Sequence, residues 1–204
     1  MTRRQALLAG AIASTLAFLV LGWVADAPEV LTADRSVQGL FEARSPGIEW
    51  VVKRFTRLGS GYVLIPLSIV VVGLLARRHR ELAIFFAAVS AGGHLLSPVA
   101  KWVVARPRPN LGPYGFPSGH VLTSVVVFGA LMYVAAALVK RPASRWGIIA
   151  LCGVIIVGVA YSRLYLHSHW TTDVAGGLTA GVAVVLFGVV WHEARLTTAA
   201  PSAT

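Results

Sequence analysis

The sequence contains few charged residues and almost no cysteine. Of its 204 residues, 13% are charged, whereas about 25% are charged in ordinary soluble domains. The single cysteine, Cys152, excludes an intramolecular disulfide. Internal repeats are also lacking. Because 56% of the residues are hydrophobic, the composition indicates a membrane protein and argues against a soluble one.

Charge is missing altogether from six stretches of similar length. Each stretch holds 17 to 21 residues, and about 20 helical residues span the hydrocarbon core of a bilayer. The stretches are 5–25, 58–76, 82–100, 120–139, 146–162 and 174–192. They predict an all-α protein, an integral membrane bundle of six transmembrane helices. We expect one domain over residues 1–196, followed by a disordered C-terminal tail over residues 197–204.

The first stretch has a second interpretation, because Arg3 and Arg4 precede it as they would in a cleavable signal peptide. The stretch is long for a signal core, however, and it lacks a clear small-residue cleavage site before Asp26. We therefore expect a retained helix.

Half of the basic residues lie in segments that six alternating helices bring to one side of the membrane. These residues are Arg3, Arg4, Arg77, Arg78, Arg80, Lys140, Arg141, Arg145 and Arg195. The positive-inside rule makes this side the cytoplasm. The pattern predicts a multi-pass protein of a bacterial cytoplasmic membrane with both termini in the cytoplasm. The net charge of +10 therefore indicates topology and not binding to nucleic acid.

The first outer loop, residues 26–57, carries balanced charge. Its acidic residues are Asp26, Glu29, Asp34, Glu42 and Glu49, and its basic residues are Arg35, Arg44, Lys53, Arg54 and Arg57. Within it, Ser45 and Pro46 suit the start of a helix, and the apolar residues that follow recur at helical spacing. This pattern predicts a short interfacial helix with Trp50 at the headgroup level. A soluble cap packed over the helix ends fits the same pattern.

Four further cations have almost no acidic neighbours in the sequence. They are Lys101, Arg106, Arg108 and Arg163, and they lie in or near the second and third outer loops. Charges at the membrane edge are costly and mark function, and arginine suits the oxygens of phosphate. A helix that begins near His120 would also direct free amides outward. The sequence therefore predicts a phosphate site on the extracytoplasmic face.

Two histidines could turn this phosphate site into an enzyme. His169 and Asp173 are one helical turn apart, so the carboxylate can orient the imidazole and leave one ring nitrogen free to attack phosphorus. His120 could protonate the departing oxygen. His167, His169 and Asp173 also suggest a metal site, but the surrounding arginines would repel a cation.

Three motifs occur in order along the chain. "KWVVARPRP" runs from Lys101 to Pro109, "PSGH" from Pro117 to His120, and "SRLYLHSHWTTD" from Ser162 to Asp173. Together they resemble the signature of the type 2 phosphatidic acid phosphatase superfamily, the lipid phosphate phosphatases, with no departure at any signature position.

The resemblance implies a role for each matching residue. Lys101, Arg108, Arg163 and the Ser118 and Gly119 amides would hold phosphate. His120 would be the general acid, His169 the nucleophile that forms a phosphohistidine, and Asp173 its partner. No metal or other cofactor would be needed. Arg106 matches no required position, so loop salt bridging or headgroup contact is as plausible for it as catalysis, and His167 would be a bystander or a substrate contact.

We therefore expect a membrane phosphatase that removes a terminal phosphate from a lipid at the outer leaflet. Undecaprenyl or another polyprenyl pyrophosphate is favoured, with phosphatidylglycerol phosphate and phosphatidate as further candidates. The expected partners are this lipid and the bilayer, without nucleic acid or an obligate protein partner. Three alternatives remain. One is a phosphotransferase with the same intermediate, and another is a lipid-binding or transport protein that catalyses no reaction. The third is the vanadium haloperoxidase branch, but its members are soluble, and six spans argue against it.

Overall fold

The structure, a computed structural model, describes residues 1–42 and 45–199. Arg44, counted above in the first outer loop, and residues 200–204 of the predicted tail lie outside this part. The described residues form eight helices: α1 Arg3–Val24, α2 Pro28–Gly39, α3 Pro46–Leu58, α4 Gly61–Ala76, α5 Arg80–Val104, α6 Gly119–Leu138, α7 Pro142–Tyr165 and α8 Thr171–Ala199. Because α8 continues to Ala199, residues 197–199 of the predicted tail are helical.

Five of the described helices, α1 and α5 to α8, are long and apolar enough to cross a membrane. The remaining predicted span, residues 58–76, corresponds to α4, which does not pass this test alone. Helix α4 has 16 residues, about 24 Å at the usual helical rise, which is short for a bilayer. It meets α3 at a bend of 45°, and the two helices together pass the same test. The all-α membrane bundle is therefore confirmed, with six spans when the bent pair counts as one.

Helix α3 is the predicted helix of the first outer loop. Pro46 occupies its first turn as expected, although the Ser45 side chain does not cap it. The apolar face packs against α7, where Val52 is buried and the Phe55 ring lies over Gly158. Trp50 remains exposed. The helix is thus fixed to the bundle and leads directly into α4. Helix α2, which precedes it, was not predicted.

Helix α6 lies at the centre of the bundle and packs against α4, α5, α7 and α8. Its contact with α8 is close because Gly177 and Gly181 face it. A Cβ atom at Gly177 would lie 2.8 Å from the carbonyl oxygen of Ser118, and one at Gly181 would lie 2.6 Å from the Cβ of Val125. The two glycines therefore serve packing within the chain, as small residues commonly do between membrane helices.

Ion pairs join the helix ends at one end of the bundle. Arg3 of α1 pairs with Glu193 of α8, and Arg195 pairs with Glu81 of α5 at 3.1 Å. Helix α1 also packs along α8. The predicted cytoplasmic residues of these three helices thus share one end, and the residues predicted to bind phosphate lie at the other.

Candidate active site

Four helix ends bring the predicted site residues together. Lys101 lies in the last turn of α5 and Arg163 in the last turn of α7. Gly119 begins α6, with His120 after it, and Asp173 lies in the first turn of α8. His169 lies in the short segment between α7 and α8. The close packing of α6 on α8 brings these groups to one point.

The loop from Ala105 to Ser118 is held by the Lys101 side chain. The ammonium group donates to the carbonyl oxygens of Tyr114 and Pro117, each at 2.8 Å, and to that of Gly115 at 3.4 Å. All three of its donors therefore face the loop. Lys101 shapes the path of the chain into α6, and its predicted contact with phosphate stays a prediction.

The start of α6 differs in one detail from the expected arrangement. The Ser118 amide was expected to bind phosphate, but it donates to the carbonyl oxygen of Asp173 at 2.9 Å. The Ser118 side chain is fully buried, and its Oγ has no hydrogen-bond partner among the described residues. Ser118 therefore offers its hydroxyl group to a ligand. The amides of Gly119 and His120 lie in the first turn, before Leu122, whose amide is the first to donate within the helix, and they stay available.

Two arginines bring further donors to this region. Arg163 is buried, and its Nη1 donates to Thr56 Oγ1 of α3 at 2.6 Å. The Nε atoms of Arg163 and Arg108 are buried without a hydrogen-bond partner in the described part of the chain. A buried donor without a partner is costly, so most such groups bind something. These donors and Ser118 Oγ are suited to the oxygens of an anion.

His169 is buried and paired with a carboxylate. Its Nδ1 lies 3.2 Å from Asp173 Oδ2. Since a carboxylate only accepts, the neutral imidazole carries its proton on Nδ1 and leaves Nε2 with a free lone pair. Burial lowers the pKa of His169 to about 4. The charges of Lys101 and Arg163 lower this pKa further, and Asp173 raises it in part. The imidazole is therefore unprotonated at neutral pH, as a nucleophile must be.

Arg106 is not one of the uncompensated cations. It is fully buried, and its guanidinium contacts Asp173 at 3.1 Å, Asp34 of α2 at 2.7 Å and Asp26 at 3.5 Å. Salt bridging, one of the possibilities considered for it, is what the structure contains. Asp34 is a residue that sequence reasoning missed. It had no local signal, because the five acids of its loop balance five bases.

The other histidines of this face have different surroundings. The ring of His120 is half-buried at the start of α6 and within electrostatic range of His169, Arg163 and Arg108. His167 Nε2 contacts the carbonyl oxygen of Phe41 at 3.2 Å, so it ties the first outer loop to the α7–α8 segment. Within residues 1–42 and 45–199, no group of three or more His, Cys, Asp or Glu side chains could hold a metal ion.

A buried His–Asp pair beside unpaired arginine donors, at the end of a membrane bundle, defines a membrane enzyme that acts on phosphate groups. The comparisons agree with this class and make it specific. The model of the PAP2 superfamily matches residues 112–196. Phosphatidylglycerophosphatase B of Bacillus subtilis (strain 168) is 30% identical over 179 residues, which cover 82% of this chain and 87% of the relative. The chain therefore belongs to the PAP2 superfamily, and it is a lipid phosphatase.

Two further matches are consistent with this assignment. An undecaprenyl-diphosphatase of Sulfolobus acidocaldarius is 32% identical over 139 residues, 62% of each chain. The crystal structure of a transmembrane PAP2 type phosphatidylglycerolphosphate phosphatase from Bacillus subtilis superposes with a TM-score of 0.78 at 27% identity, covering 94% of this chain and 98% of the other. The chain is thus a multi-span integral membrane protein of this fold.

Proposed function

We propose that this phosphatase removes the terminal phosphate of a membrane lipid through a phosphohistidine on His169. The observation that carries the proposal is the buried His169–Asp173 pair, which keeps the imidazole neutral and oriented beside the unpaired donors of Arg108, Arg163 and Ser118. We also propose one domain over residues 1–196, because the site draws on segments from α2 to α8.

The reaction would proceed in two displacements. His169 Nε2 attacks the terminal phosphorus, the bond from phosphorus to the bridging oxygen breaks, and His120 gives that oxygen a proton. Water then attacks the phosphohistidine, His120 takes a proton from the water, and free phosphate leaves. Arg108, Arg163, Ser118 Oγ and the Gly119 amide stabilise the negative charge of both transition states.

A cavity at the membrane side of this site supports a lipid substrate. It has a volume of about 490 Å³ and lies between α1 and α5. Its lining is mostly apolar, with Asp26 as the charged exception, and includes Phe18, Leu19, Trp23, Val99, Val103 and Phe116. Phe116 lies two residues before Ser118, so one wall of the cavity belongs to the loop that leads to the predicted phosphate site. We propose that it receives the first part of the lipid tail.

Two lipid classes are supported as substrates. A polyprenyl pyrophosphate such as undecaprenyl pyrophosphate remains the first candidate, and a relative that carries the name undecaprenyl-diphosphatase supports it. Phosphatidylglycerol phosphate is the second candidate, supported by the relative that aligns over most of this chain. Both present a terminal phosphate at the end of an apolar tail, which is the combination that the site and the cavity can accept.

The deciding experiment measures phosphate release by the purified protein in detergent across a panel of isoprenoid and glycerophospholipid phosphates, with a chelator present. We expect turnover of at least one lipid class and no turnover after His169→Ala. We also expect a phosphoenzyme whose bond between phosphorus and the protein survives in base and breaks in acid. Transfer of phosphate to a second lipid without release would favour the phosphotransferase. Binding without turnover would favour a lipid-binding protein, and loss of activity with the chelator would contradict the metal-free mechanism.

We propose further that the active site faces the outside of a bacterial cytoplasmic membrane and that both termini are cytoplasmic. The support is the charge pattern, together with the opposite ends that the basic clusters and the site occupy. Leu111 is 91% exposed in the loop before α6. In a Cys152→Ala background, Leu111→Cys should react with an impermeant thiol reagent in intact cells. Labelling only after permeabilisation would invert this topology.

A further inference from the structure

A buried charge network extends from the catalytic pair to the first outer loop. Its centre is Arg106, whose side chain is 0% exposed. Nη1 donates to Asp173 Oδ1 at 3.1 Å, and Nη2 donates to Asp34 Oδ2 at 2.7 Å. An arginine fork can hold two carboxylates in fixed directions, which a point charge such as lysine cannot do. Arg106 therefore joins two carboxylates that are far apart in the sequence.

The contacts of Asp173 show what this junction fixes. Oδ1 accepts from Arg106, while Oδ2 accepts from the Trp170 amide at 3.0 Å and lies 3.2 Å from His169 Nδ1. Arg106 therefore holds the oxygen that does not face His169, and it prevents the carboxylate from turning about its Cβ–Cγ bond. The direction of the His169 ring depends on the direction of Asp173.

Asp34 completes the network from α2. Its Oδ1 accepts from the Thr172 amide at 3.0 Å, and its Oδ2 accepts from the Thr172 hydroxyl at 2.6 Å. The Thr172 amide belongs to the first turn of α8, where amides lack intrahelical acceptors. Asp34 thus caps α8 from another helix, one residue before Asp173. It orients Arg106 and the start of α8 at the same time.

Stability alone does not account for this arrangement. A buried ion network loses hydration on folding, and apolar residues of similar volume often stabilise a protein as well or better. The network instead fixes the one carboxylate on which the proposed nucleophile depends. We propose that Arg106 and Asp34 are positioning residues for catalysis, which orient His169 through Asp173. This inference rests on the proposed role of His169 and adds two residues, one of them from the first outer loop.

The test compares three variants in single-turnover measurements of phosphohistidine formation with radiolabelled lipid phosphate. Asp34→Asn keeps the shape of the side chain and removes its charge, and Arg106→Lys keeps the charge and removes the fork. Glu29→Gln, an exposed position on the same helix α2, is the matched control. We expect the first two variants to slow phosphorylation by about 10- to 100-fold, as small misplacements of reacting groups do. The KM measured in steady-state turnover should stay nearly unchanged. Glu29→Gln should match the wild type.

A second arm distinguishes positioning from a general structural role. In an Asp173→Asn background, Asp34→Asn and Arg106→Lys should each slow the reaction by less than about threefold further, because they act through the same carboxylate. Losses that multiply, losses that appear only in KM, or unchanged phosphorylation in both single variants would overturn the inference. If Arg106→Lys does not fold, the Asp34 cycle decides alone. Full activity of His169→Ala would instead refute the proposed mechanism.

Discussion

The buried state of His169 has a consequence that can be measured without a substrate. The pKa of this imidazole falls from its usual 6.5 to about 4 in the folded protein, chiefly because of burial. Between these two pH values His169 binds a proton in the unfolded chain and does not bind one in the folded protein. The stability linked to His169 is therefore complete above the unfolded pKa and is lost as the pH falls toward the folded pKa. The expected direction is a protein that becomes less stable on acidification.

The magnitude follows from the two pKa values. At about pH 5 the unfolded imidazole is almost fully protonated and the folded one is almost fully neutral, which lowers the free energy of unfolding by about 2 kcal/mol relative to about pH 7.5. For a chain of this length, 1 kcal/mol corresponds to about 2–4 °C in Tm. His169 alone should thus lower Tm by about 4–8 °C over this interval.

The assay is thermal unfolding in one detergent at both pH values and one scan rate. Wild-type protein is compared with His169→Gln, whose side chain is neutral at every pH, and with His79→Gln, which replaces an exposed histidine. We expect His169→Gln to lose about 4–8 °C less than the wild type on acidification, and His79→Gln to follow the wild type. If the wild type and His169→Gln lose the same Tm, the imidazole does not resist protonation and the argument for a neutral nucleophile fails.

Two further predictions concern packing and the lipid tail. Gly177→Ala should destabilise the protein by about 1–3 kcal/mol and slow turnover, because the new methyl group would lie 2.8 Å from the Ser118 carbonyl oxygen and push α8 away from α6. Gly147→Ala is the control. No atom lies within 4 Å of a Cβ at this position, so this substitution should stabilise the protein slightly. A Gly177→Ala variant as stable as the wild type would contradict the close packing. Val99 lies in the wall of the cavity between α1 and α5. Val99→Trp should raise KM for a long-tailed lipid phosphate by about tenfold or more and leave KM for a short-tailed lipid phosphate unchanged. Leu151→Trp, on the exposed face of α7, should change neither KM. Equal effects of Val99→Trp on both lipids would exclude this cavity as the tail site.

Much of the fold is present in the sequence because the bilayer imposes a simple rule. A span must be about 20 residues long and free of charge, so the uncharged stretches correspond to α1 and to α5 through α8. The same rule separated α3, which carries Lys53, Arg54 and Arg57, from the uncharged stretch that forms α4. It could not show that the two helices meet at a bend of 45°, because that angle is not encoded in the length or charge of either segment.

The site was partly visible for a comparable reason. His169 and Asp173 are four residues apart, so their contact is local and could be expected from the sequence, although His169 lies just before α8 and not on it. The Arg106–Asp34 contact spans 72 residues, and the bond between Thr172 and Asp34 spans 138. Such pairs form only after α2 folds over the bundle. Local charge counting therefore treated Asp34 as part of a neutral loop and Arg106 as an unpaired cation.

The hydrogen bond from the Ser118 amide to the Asp173 carbonyl joins the first turns of α6 and α8. The positive end of the α6 dipole, about half an elementary charge, therefore faces the place where the phosphate would bind, whereas amides at the start of α8 already bind the carboxylates of Asp34 and Asp173. The partial charge of α6 has no pKa, and no side-chain substitution removes it. Variants that lack a lysine or an arginine of the site should keep part of their affinity for the anion at any pH at which the protein is folded.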